Sequence, residues 1–541
     1  MYERSNPAII DVKADIQHSY NELLLDVIGL KTKLLPLSKN FHDKDNLKND
    51  LNEERVAFLC PNGYDYVISL WSIWAAGGIA VPLCTTHPSS ELSYVLKDSH
   101  SSIVLTHPEF EDRIRPIAKN ANIENIMIVD HKTIGYNDNR YGKDDDFKNL
   151  KLTQMDESRR ALIIYTSGTT GKPKGVVSTH LNIKAQVESL VEAWRLSRND
   201  KILHVLPLHH LHGIMNALMC QLYVGATVEM LPKFDAETVW NRWMDPKRDL
   251  TLFMAQMPKN LQPEATKSCS QFRLMVSGSS SLPIPIRNRW KEISGGQILL
   301  ERYGMSEIGM ALSHEYDPNK RYKGCVGLPL PGVNVRLLSD DNKDITNELN
   351  LPGELQVKGE TVFKEYWNKP EATIKEFTSD GWFKTGDIAM RTTKGFEILG
   401  RKSVDIIKSG GYKISALEIE KELSEHPNIL EVYIVGVEDE EWGQKIGALV
   451  TLKDNKQNLN LDELREFAGQ FSGSVEENFY FNSDRKVTKL KKQSWKFENV
   501  DEILKLISSL SKILKIEAEE ALEKDNKRRK IDGEELKRFE S

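Results

Sequence analysis

The segment 165–175 constrains the fold of this chain more than any other stretch. It reads Tyr-Thr-Ser-Gly-Thr-Thr-Gly-Lys-Pro-Lys-Gly and follows the apolar run 161–164, which predicts a buried strand. Glycines let the backbone adopt positive φ and approach a ligand closely, and successive backbone N–H groups then form an anion-binding concavity. Hydroxyl and lysine side chains add further donors. A buried strand that leads into such a loop predicts a polyphosphate site.

The loop is not a Walker A sequence, because Pro173 follows Lys172 where Ser or Thr would be needed to meet Mg²⁺. Its predicted phosphate contacts are Thr166, Ser167, Gly168, Thr169, Thr170, Gly171, Lys172 and Lys174.

Strand-like runs alternate with helix-like runs through most of the chain, for example the strand 55–60 and the helix 64–76. Such alternation predicts an α/β fold with parallel or mixed sheets covered by helices. The run 353–359 adds a β element, and the pattern near the C-terminus indicates a small α+β domain. We predict an N-terminal domain over 1–400, a C-terminal domain over 401–470 and a divergent charged, helical tail over 471–541.

Composition excludes several functional classes. The 541 residues are 40% apolar and 28% charged, as in globular proteins, and the net charge of −6 predicts no nucleic-acid partner. No apolar run is long enough to span a membrane. The cysteines are odd in number and lack CxxC spacing, which favours a reducing compartment. The sequence as it stands predicts a cytoplasmic protein, and it does not distinguish a monomer from a homodimer.

Further motifs carry candidate chemistry. Three histidines follow a predicted strand in 206–213, but no cysteine or carboxylate stands beside them to complete a metal site. The run 273–283 leads from a strand into a Gly/Ser turn, the kind of strand end where open α/β folds bind ligands. Segments 300–307 (Leu-Glu-Arg-Tyr-Gly-Met-Ser-Glu) and 381–387 (Gly-Trp-Phe-Lys-Thr-Gly-Asp) both end in a carboxylate.

In this order the motifs resemble the acyl-adenylate-forming superfamily of AMP-dependent synthetases and ligases, over roughly residues 6–469. Segments 60–63, 204–213 and 366–370 are most similar to its malonyl-CoA synthetase branch. The resemblance implies an ATP-dependent, AMP-forming acid–thiol ligase whose small-molecule substrates are an acid, MgATP and CoA. It also admits a mitochondrial location, if a presequence has been lost from the sequence.

The resemblance implies roles for individual residues. Glu307 would hold Mg²⁺, and the catalytic group would comprise His210, Glu307, Lys172 and Lys174. The nucleotide would contact, beyond the phosphate loop, Tyr303, Gly304, Ser306, Asp387 and Arg401. The C-terminal domain would rotate at Lys402 and Ser403, and the pantetheine tunnel of CoA would then be lined by Ser409, Gly410, Gly411 and Tyr412.

Arg273 is the residue that indicates the acid. An arginine at the foot of the acyl pocket does not suit a fatty acyl tail, whereas it would bind a second carboxylate bidentately. We therefore predict that Arg273, with Ser277 and Ser279, holds the substrate carboxylate, and that the acid is malonate or methylmalonate.

The C-terminal part departs from the superfamily pattern. The chain has no proline after Pro427 and no Gly-Lys pair after Gly469, where the superfamily carries a lysine that offsets charge during adenylation. Losing one preorganised cation costs about 10²–10³ in rate. Lysines that qualify by charge alone are Lys486, Lys489, Lys491 and Lys492. Two alternatives stay open: a fatty or aryl acid–CoA ligase, and a nucleotide-binding protein impaired in adenylation.

Overall fold

A computed structural model describes residues 7–13, 15–38, 50–134, 155–166, 172–245, 247, 249–254, 272–278, 282, 284–403, 405–409, 412–439, 443–453 and 479–483. The chain divides into two compact units. The larger comprises Met1–Leu282, Ile286–Thr385 and Ala389–Ile398, and the smaller comprises Pro283–Pro285, Gly386–Ile388 and Leu399–Ser541. The predicted domain limits at 400 and 470 stay predictions.

The strands up to the end of the larger unit are β1 (Pro7–Asp11), β2 (Ile16–Ser19), β3 (Arg55–Leu59), β4 (Ile79–Pro82), β5 (Ile103–Thr106), β6 (Asn125–Ile128), β7 (Arg160–Thr166), β8 (Lys174–Thr179), β9 (Lys201–His204), β10 (Thr227–Met230), β11 (Leu252–Met254), β12 (Leu274–Ser277), β13 (Leu300–Met305), β14 (Gly309–Ser313), β15 (Leu328–Pro329), β16 (Val333–Leu338), β17 (Pro352–Gly359), β18 (Glu365–Tyr366), β19 (Phe383–Thr392) and β20 (Gly395–Arg401).

The α-helices of the same region are α1 (Tyr20–Leu34), α2 (Tyr64–Ala75), α3 (Ser89–Asp98), α4 (Glu111–Asn120), α5 (His131–Ile134), α6 (His180–Trp194), α7 (Cys220–Val224), α8 (Ala236–Met244), α9 (Ile284–Ile293) and α10 (Pro370–Glu376). A π-helix, His212–Met219, runs directly into α7. Short 3₁₀ turns occupy Leu35–Leu37, Pro108–Phe110 and Pro318–Lys320.

Two large sheets organise the larger unit. One has nine strands in the order β15-β14-β13-β12-β11-β9-β10-β1-β2, and its central strands from β13 to β1 are parallel. The other has seven strands in the order β18-β8-β7-β4-β3-β5-β6, with β7, β4, β3, β5 and β6 parallel. Parallel strands need crossover connections, which the intervening helices supply.

One cluster of buried apolar side chains joins residues of both sheets to α1, α2 and α6. Phe58 on β3, Leu30 on α1 and Leu190 on α6 are fully buried members of it. Two capping boxes fix where α1 and α6 begin: the side chains of Ser19 and Thr179 accept from the backbone N–H three residues on, and the side chains there bond back.

A four-stranded sheet, ordered β16-β17-β19-β20, leads to the second unit. The smaller unit contains β21 (Ile406–Ser409), β22 (Tyr412–Ser415), α11 (Ala416–Leu423), β23 (Ile429–Asp439), β24 (Gly443–Leu452) and β25 (Phe479–Ser483). These strands form one sheet, in which β25 pairs parallel to β24.

The predicted α/β class with a smaller α+β unit is confirmed. Across the parts of the chain that the structure covers, no helix combines the length and hydrophobicity needed to cross a bilayer. The helix predicted in the tail lies outside the described residues.

Candidate active site

The predicted phosphate loop connects β7 and β8, which pair antiparallel, so it is the turn of a hairpin. Tyr165 pairs with Gly175 at its base. A Cβ at Gly175 would lie 2.7 Å from Cγ2 of Ile163 and 3.2 Å from Cβ of Trp367, so only glycine fits there. Thr166 ends β7, and the turn residues themselves lie outside the described residues: Ser167, Gly168, Thr169, Thr170 and Gly171.

Tyr94 on helix α3 holds the segment that leads into β8. The hydroxyl of Tyr94 donates to the carbonyl of Pro173 at 2.7 Å, and Nζ of Lys172 lies 5.8 Å from the centre of the Tyr94 ring. The hydroxyl of Tyr165 donates to Oδ2 of Asp98 at 2.8 Å. Burial, then the neighbouring Asp98 carboxylate, raises the pKa of Tyr94 to about 12, so this hydroxyl stays a donor at neutral pH.

Tyr366 links the lysine of the loop to the predicted metal ligand. Nζ of Lys174 lies 4.7 Å from the centre of the Tyr366 ring, and the Tyr366 hydroxyl donates to Oε1 of Glu307 at 2.9 Å. The Glu307 backbone is also tied down, since Phe363 donates to its carbonyl at 2.7 Å. The structure therefore brings Lys174 and Glu307 together, and Tyr366, for which the sequence suggested no role, lies between them.

Strand β13 presents the predicted nucleotide residues through a bulge between Tyr303 and Gly304. Tyr303 and Ser306 are partly exposed, so both side chains are accessible to a ligand. Gly304 has no room for a side chain, because a Cβ there would lie 2.1 Å from the Gly309 carbonyl. A bulge re-aims side chains at a strand end, which is a common device beside binding sites.

The histidine segment connects β9 to the π-helix. The His210 ring lies 4.1 Å from that of His209, centre to centre. Part of the His210 side chain is exposed to solvent. The protein around the imidazole nevertheless excludes water, and this desolvation, followed by the neighbouring His209 and His87, lowers the pKa of His210 to about 4. His210 is therefore neutral at pH 7.

His204 is fully buried, and its Nε2 lies 3.0 Å from the Gly213 carbonyl, which requires Nε2–H to donate.

A buried arginine that the sequence reasoning passed over lies next to these histidines. Arg302 on β13 is 4% exposed, and its Nη2 lies 2.6 Å from Nδ1 of His212. A Cβ at Gly278 would lie 2.6 Å from the Arg302 Cζ, so the guanidinium packs directly on the backbone after β12. Burial lowers the pKa of Arg302 to about 10. One signal was available: Arg302 lies two residues after Leu300 on a strand and so shares its buried face, a position where a charge is costly.

Arg273 occupies a different setting. Its Nε donates to Oδ1 of Asp200 at 2.7 Å and its Nη2 donates to Oδ2 at 2.5 Å, a bidentate ion pair. Further donors reach the carbonyls of Trp194 and Arg195. Burial alone would lower the pKa of Arg273, and the Asp200 pair raises it above its ordinary value.

The fork of Arg273 is thus occupied by a carboxylate of the protein itself, so the observed contacts do not fit its predicted role. That role stays a prediction without structural support. Ser277 ends β12 and is 4% exposed, and Ser279 lies outside the described residues.

The smaller unit brings its predicted ribose residues together. Nε of Arg401 lies 3.0 Å from Oδ1 of Asp387, and Lys402 N–H donates to the Gly386 carbonyl at 2.9 Å. Gly386 has φ +72°, a left-handed conformation that favours glycine and lets the chain turn toward Asp387. Lys402 and its neighbour Ser403 are exposed.

The predicted CoA residues flank a hairpin. Ser409 ends β21 and pairs with Tyr412, which begins β22. Gly410 and Gly411, the turn between them, lie outside the described residues. The assignments of these residues stay predictions.

Comparison with known proteins identifies the class. A family model described as AMP-binding enzyme matches residues 49–367, and one described as AMP-binding enzyme C-terminal domain matches residues 418–491. The chain therefore belongs to the AMP-binding enzymes, which confirms the predicted superfamily of ATP-dependent, AMP-forming ligases. The C-terminal match includes β25.

Among curated relatives, the mitochondrial malonate–CoA ligase ACSF3 of Xenopus laevis is 43% identical over 84% of this chain and 82% of its own length. The human protein of that name is 41% identical over the same shares. Among solved structures, ATP-bound MatB from Rhodopseudomonas palustris has a TM-score of 0.76 and 27% identity, covering 90% of this chain and 93% of that one.

Proposed function

We propose that this chain joins malonate to CoA in two steps at one site. A malonate carboxylate oxygen attacks the α-phosphorus of ATP, and the bond from that phosphorus to the oxygen bridging the α- and β-phosphates breaks. Pyrophosphate departs, and malonyl-AMP remains. The CoA thiolate then attacks the acyl carbonyl, and AMP departs. Relatives named malonate–CoA ligase share 41–43% identity with this chain over most of its length, which favours malonate over the fatty and aryl alternatives.

The observation that carries the choice of acid is the buried guanidinium of Arg302. It contacts His212, and it packs on Gly278 in the turn after β12. Two residues before His212 is His210, which the resemblance to the superfamily implies to line the acyl pocket. A cation buried at a pocket wall is costly for an apolar tail, whereas a dicarboxylate would offset its desolvation. Arg302 therefore takes over the role that the sequence reasoning gave to Arg273.

His212 suits this role because it is neutral. Burial, followed by the Arg302 charge, lowers its pKa well below the ordinary value, so the imidazole accepts a hydrogen bond from Arg302 without competing for the substrate anion. The second carboxylate of malonate would bind the guanidinium fork in a bidentate manner. The first carboxylate would then point toward the α-phosphate.

The remaining residues position the nucleotide. Lys172 and Lys174, at the base of the hairpin, would contact the phosphates, and Tyr303 would stack on adenine. Mg²⁺ enters with ATP, and it prefers oxygen ligands such as the Glu307 carboxylate, which Tyr366 holds in place. The ion would neutralise phosphate charge during adenylation. The ribose hydroxyls would bind Asp387 and Arg401.

The C-terminal lysine of the superfamily has a candidate within the matched range. Residues 418–491 include Lys486, Lys489 and Lys491, so the chain retains cations in that stretch despite the missing Gly-Lys pair. We propose that one of them serves adenylation. The alternative of an adenylation-impaired protein predicts the opposite: malonyl-AMP would be converted to malonyl-CoA, but malonate and ATP would not react.

The test measures exchange of labelled pyrophosphate into ATP with malonate, methylmalonate, palmitate or benzoate in turn. Malonate, and methylmalonate more weakly, should support exchange, whereas the monoacids should not. Exchange with palmitate or benzoate alone would refute the choice of acid. Exchange with none of them, together with turnover of malonyl-AMP, would establish the adenylation-impaired alternative.

The cellular location is proposed from the names of the relatives. The Xenopus and human proteins are named as mitochondrial, and we propose the same location for this protein. Fractionation of cells that express the full-length protein with a C-terminal tag should place it with matrix markers, and recovery in the cytosol alone would refute this.

A further inference from the structure

A cysteine and two histidines that are far apart in sequence meet beside His210. Cys84 and His87 follow β4, and His209 follows β9. Their ligand atoms all lie within 4.8 Å of one another. From sequence alone the histidines lacked a cysteine to complete a metal site, and the fold supplies one from the neighbouring sheet. We propose that Cys84, His87 and His209 form a zinc-binding site.

The donor set matches zinc chemistry. One thiolate and two imidazoles, with a water in the fourth position, form a ligand set that zinc adopts in proteins, whereas Mg²⁺ prefers oxygen ligands. Zinc–sulfur and zinc–nitrogen bonds of about 2.3 and 2.0 Å put tetrahedral ligand atoms roughly 3.5 Å apart. Because the ligand atoms lie within 4.8 Å of one another, they need to approach by at most about 1.3 Å, which rotation of the partly exposed His87 side chain allows.

The segment that carries two of the ligands is held in place. Cys84 and His87 are separated by two residues, and Arg113 donates to the carbonyl of Thr85 at 2.5 Å and to that of His87. These bonds fix the backbone of the short chelating loop before any ion binds. The site thus needs little ordering, which favours affinity.

Both histidines are prepared to act as ligands. Oε2 of Glu91 lies 3.2 Å from Nδ1 of His87, and a carboxylate that accepts from one ring nitrogen leaves the lone pair on the other. The His209 ring lies 5.5 Å from the His87 ring, centre to centre, so the two imidazoles are direct neighbours. Binding replaces the thiol S–H bond of Cys84 with a Zn–S bond, and the proton leaves to solvent.

Zinc here would act on the acyl pocket through His210. The His209 and His210 rings lie 4.1 Å apart, centre to centre, so an ion that fixes one restricts the other. This consequence rests on the proposed function, in which His210 lines the pocket. We expect zinc to inhibit malonate activation by the full-length enzyme.

The test of the site itself is a Co²⁺ titration of the full-length protein without substrates. Co²⁺ should bind one per chain and produce thiolate-to-cobalt charge-transfer absorption, which zinc should then displace. Cys84→Ser should abolish the absorption. His87→Gln, on a partly exposed residue that leaves the core intact, should weaken binding, and Glu91→Gln should weaken it about 10-fold with the absorption retained.

The matched control is Cys325→Ser. Sγ of Cys325 lies 3.6 Å from Nε2 of His314, a Cys–His pair without His87 or His209, so this variant should keep the absorption. No charge-transfer absorption in the wild type, or absorption that persists in Cys84→Ser, would overturn the proposal. Because the readout needs no malonate, wild-type protein that binds Co²⁺ but shows no malonate-dependent exchange when this site is metal-free would refute the proposed function and leave the site standing.

Discussion

Replacing Arg302 with methionine should abolish the preference for malonate without unfolding the protein. Methionine replaces the apolar stem of the arginine side chain with an unbranched apolar one and removes the guanidinium charge. Truncating one partner of a buried, hydrogen-bonded charge pair costs about 2–5 kcal/mol. A loss of about 3 kcal/mol corresponds to a loss of about 150-fold in kcat/KM for malonate. Activity toward propionate, which lacks the second carboxylate, should not fall.

The same variant should be at least as stable as the wild type. Burial shifts the pKa of Arg302 from 12.5 to about 10. This difference means that the buried cation destabilises the substrate-free folded protein by about 3 kcal/mol. Removing the charge removes that cost, as expected for a site that trades stability for function. Urea unfolding of the free protein should therefore show an unchanged or raised midpoint.

Arg273→Met is the matched control, with the opposite pattern. It leaves Asp200, whose side chain is 2% exposed, without its bidentate partner, and such a break costs about 3–5 kcal/mol of stability. The folded fraction should still prefer malonate. Asp200→Asn in the same chain should restore part of the lost stability, because the orphaned charge is gone.

A second variant tests geometry with the charge intact. Gly278→Ala places a Cβ where it would lie 2.6 Å from Cζ of Arg302, so the guanidinium must shift. Malonate use should fall and propionate use should not. The reasoning is refuted if Arg302→Met retains malonate activity within about threefold of the wild type, if it loses malonate and propionate activity equally, or if the malonate-specific loss appears in Arg273→Met instead.

Three further predictions concern neighbouring features. Tyr366→Phe removes the hydrogen bond to Glu307 and should raise the Mg²⁺ concentration needed for half-maximal pyrophosphate exchange, with about a 10-fold loss in rate; an unchanged Mg²⁺ dependence would contradict the link. Burial lowers the pKa of His204 from 6.5 to about 4, so the neutral imidazole stabilises the fold fully above pH 6.5, and this stability is lost as the pH falls toward 4, by about 2 kcal/mol at pH 5. The urea midpoint of His204→Gln should therefore depend less on pH between 6.5 and 4 than that of the wild type. The same pH dependence in both proteins would refute this prediction. Thr179→Ala removes the N-cap of α6 and should cost about 1 kcal/mol in unfolding free energy, with Thr393→Ala in an exposed turn as the comparison; equal effects would contradict the capping role.

The sequence predicted elements well where the pattern was local. The strand expected at 55–60 is Arg55–Leu59, and the helix expected at 64–76 is Tyr64–Ala75. Apolar periodicity and turn residues act within a few positions, so they are visible in the sequence. The π-helix His212–Met219 was not visible in the sequence, because widened helical turns have no distinct sequence pattern.

The site was predictable only in part, because partners are distant in sequence. Glu307 and Lys174 were predicted, whereas Tyr366, which connects them, was not. Arg273 and Arg302 both lie at β-strands, and what separates them is Asp200, which neutralises Arg273 from 73 positions away. A sequence shows which residue types are present, and only the fold shows that Arg273 binds Asp200 whereas Arg302 lies beside His212.

The central claim is tested most directly by incubating the purified full-length protein with malonate, MgATP and CoA, and measuring malonyl-CoA and AMP by liquid chromatography. The account predicts saturable, malonate-dependent formation of both products in equal amounts. Protein that binds MgATP saturably but forms no malonyl-CoA, either from malonate or from preformed malonyl-AMP, would contradict it.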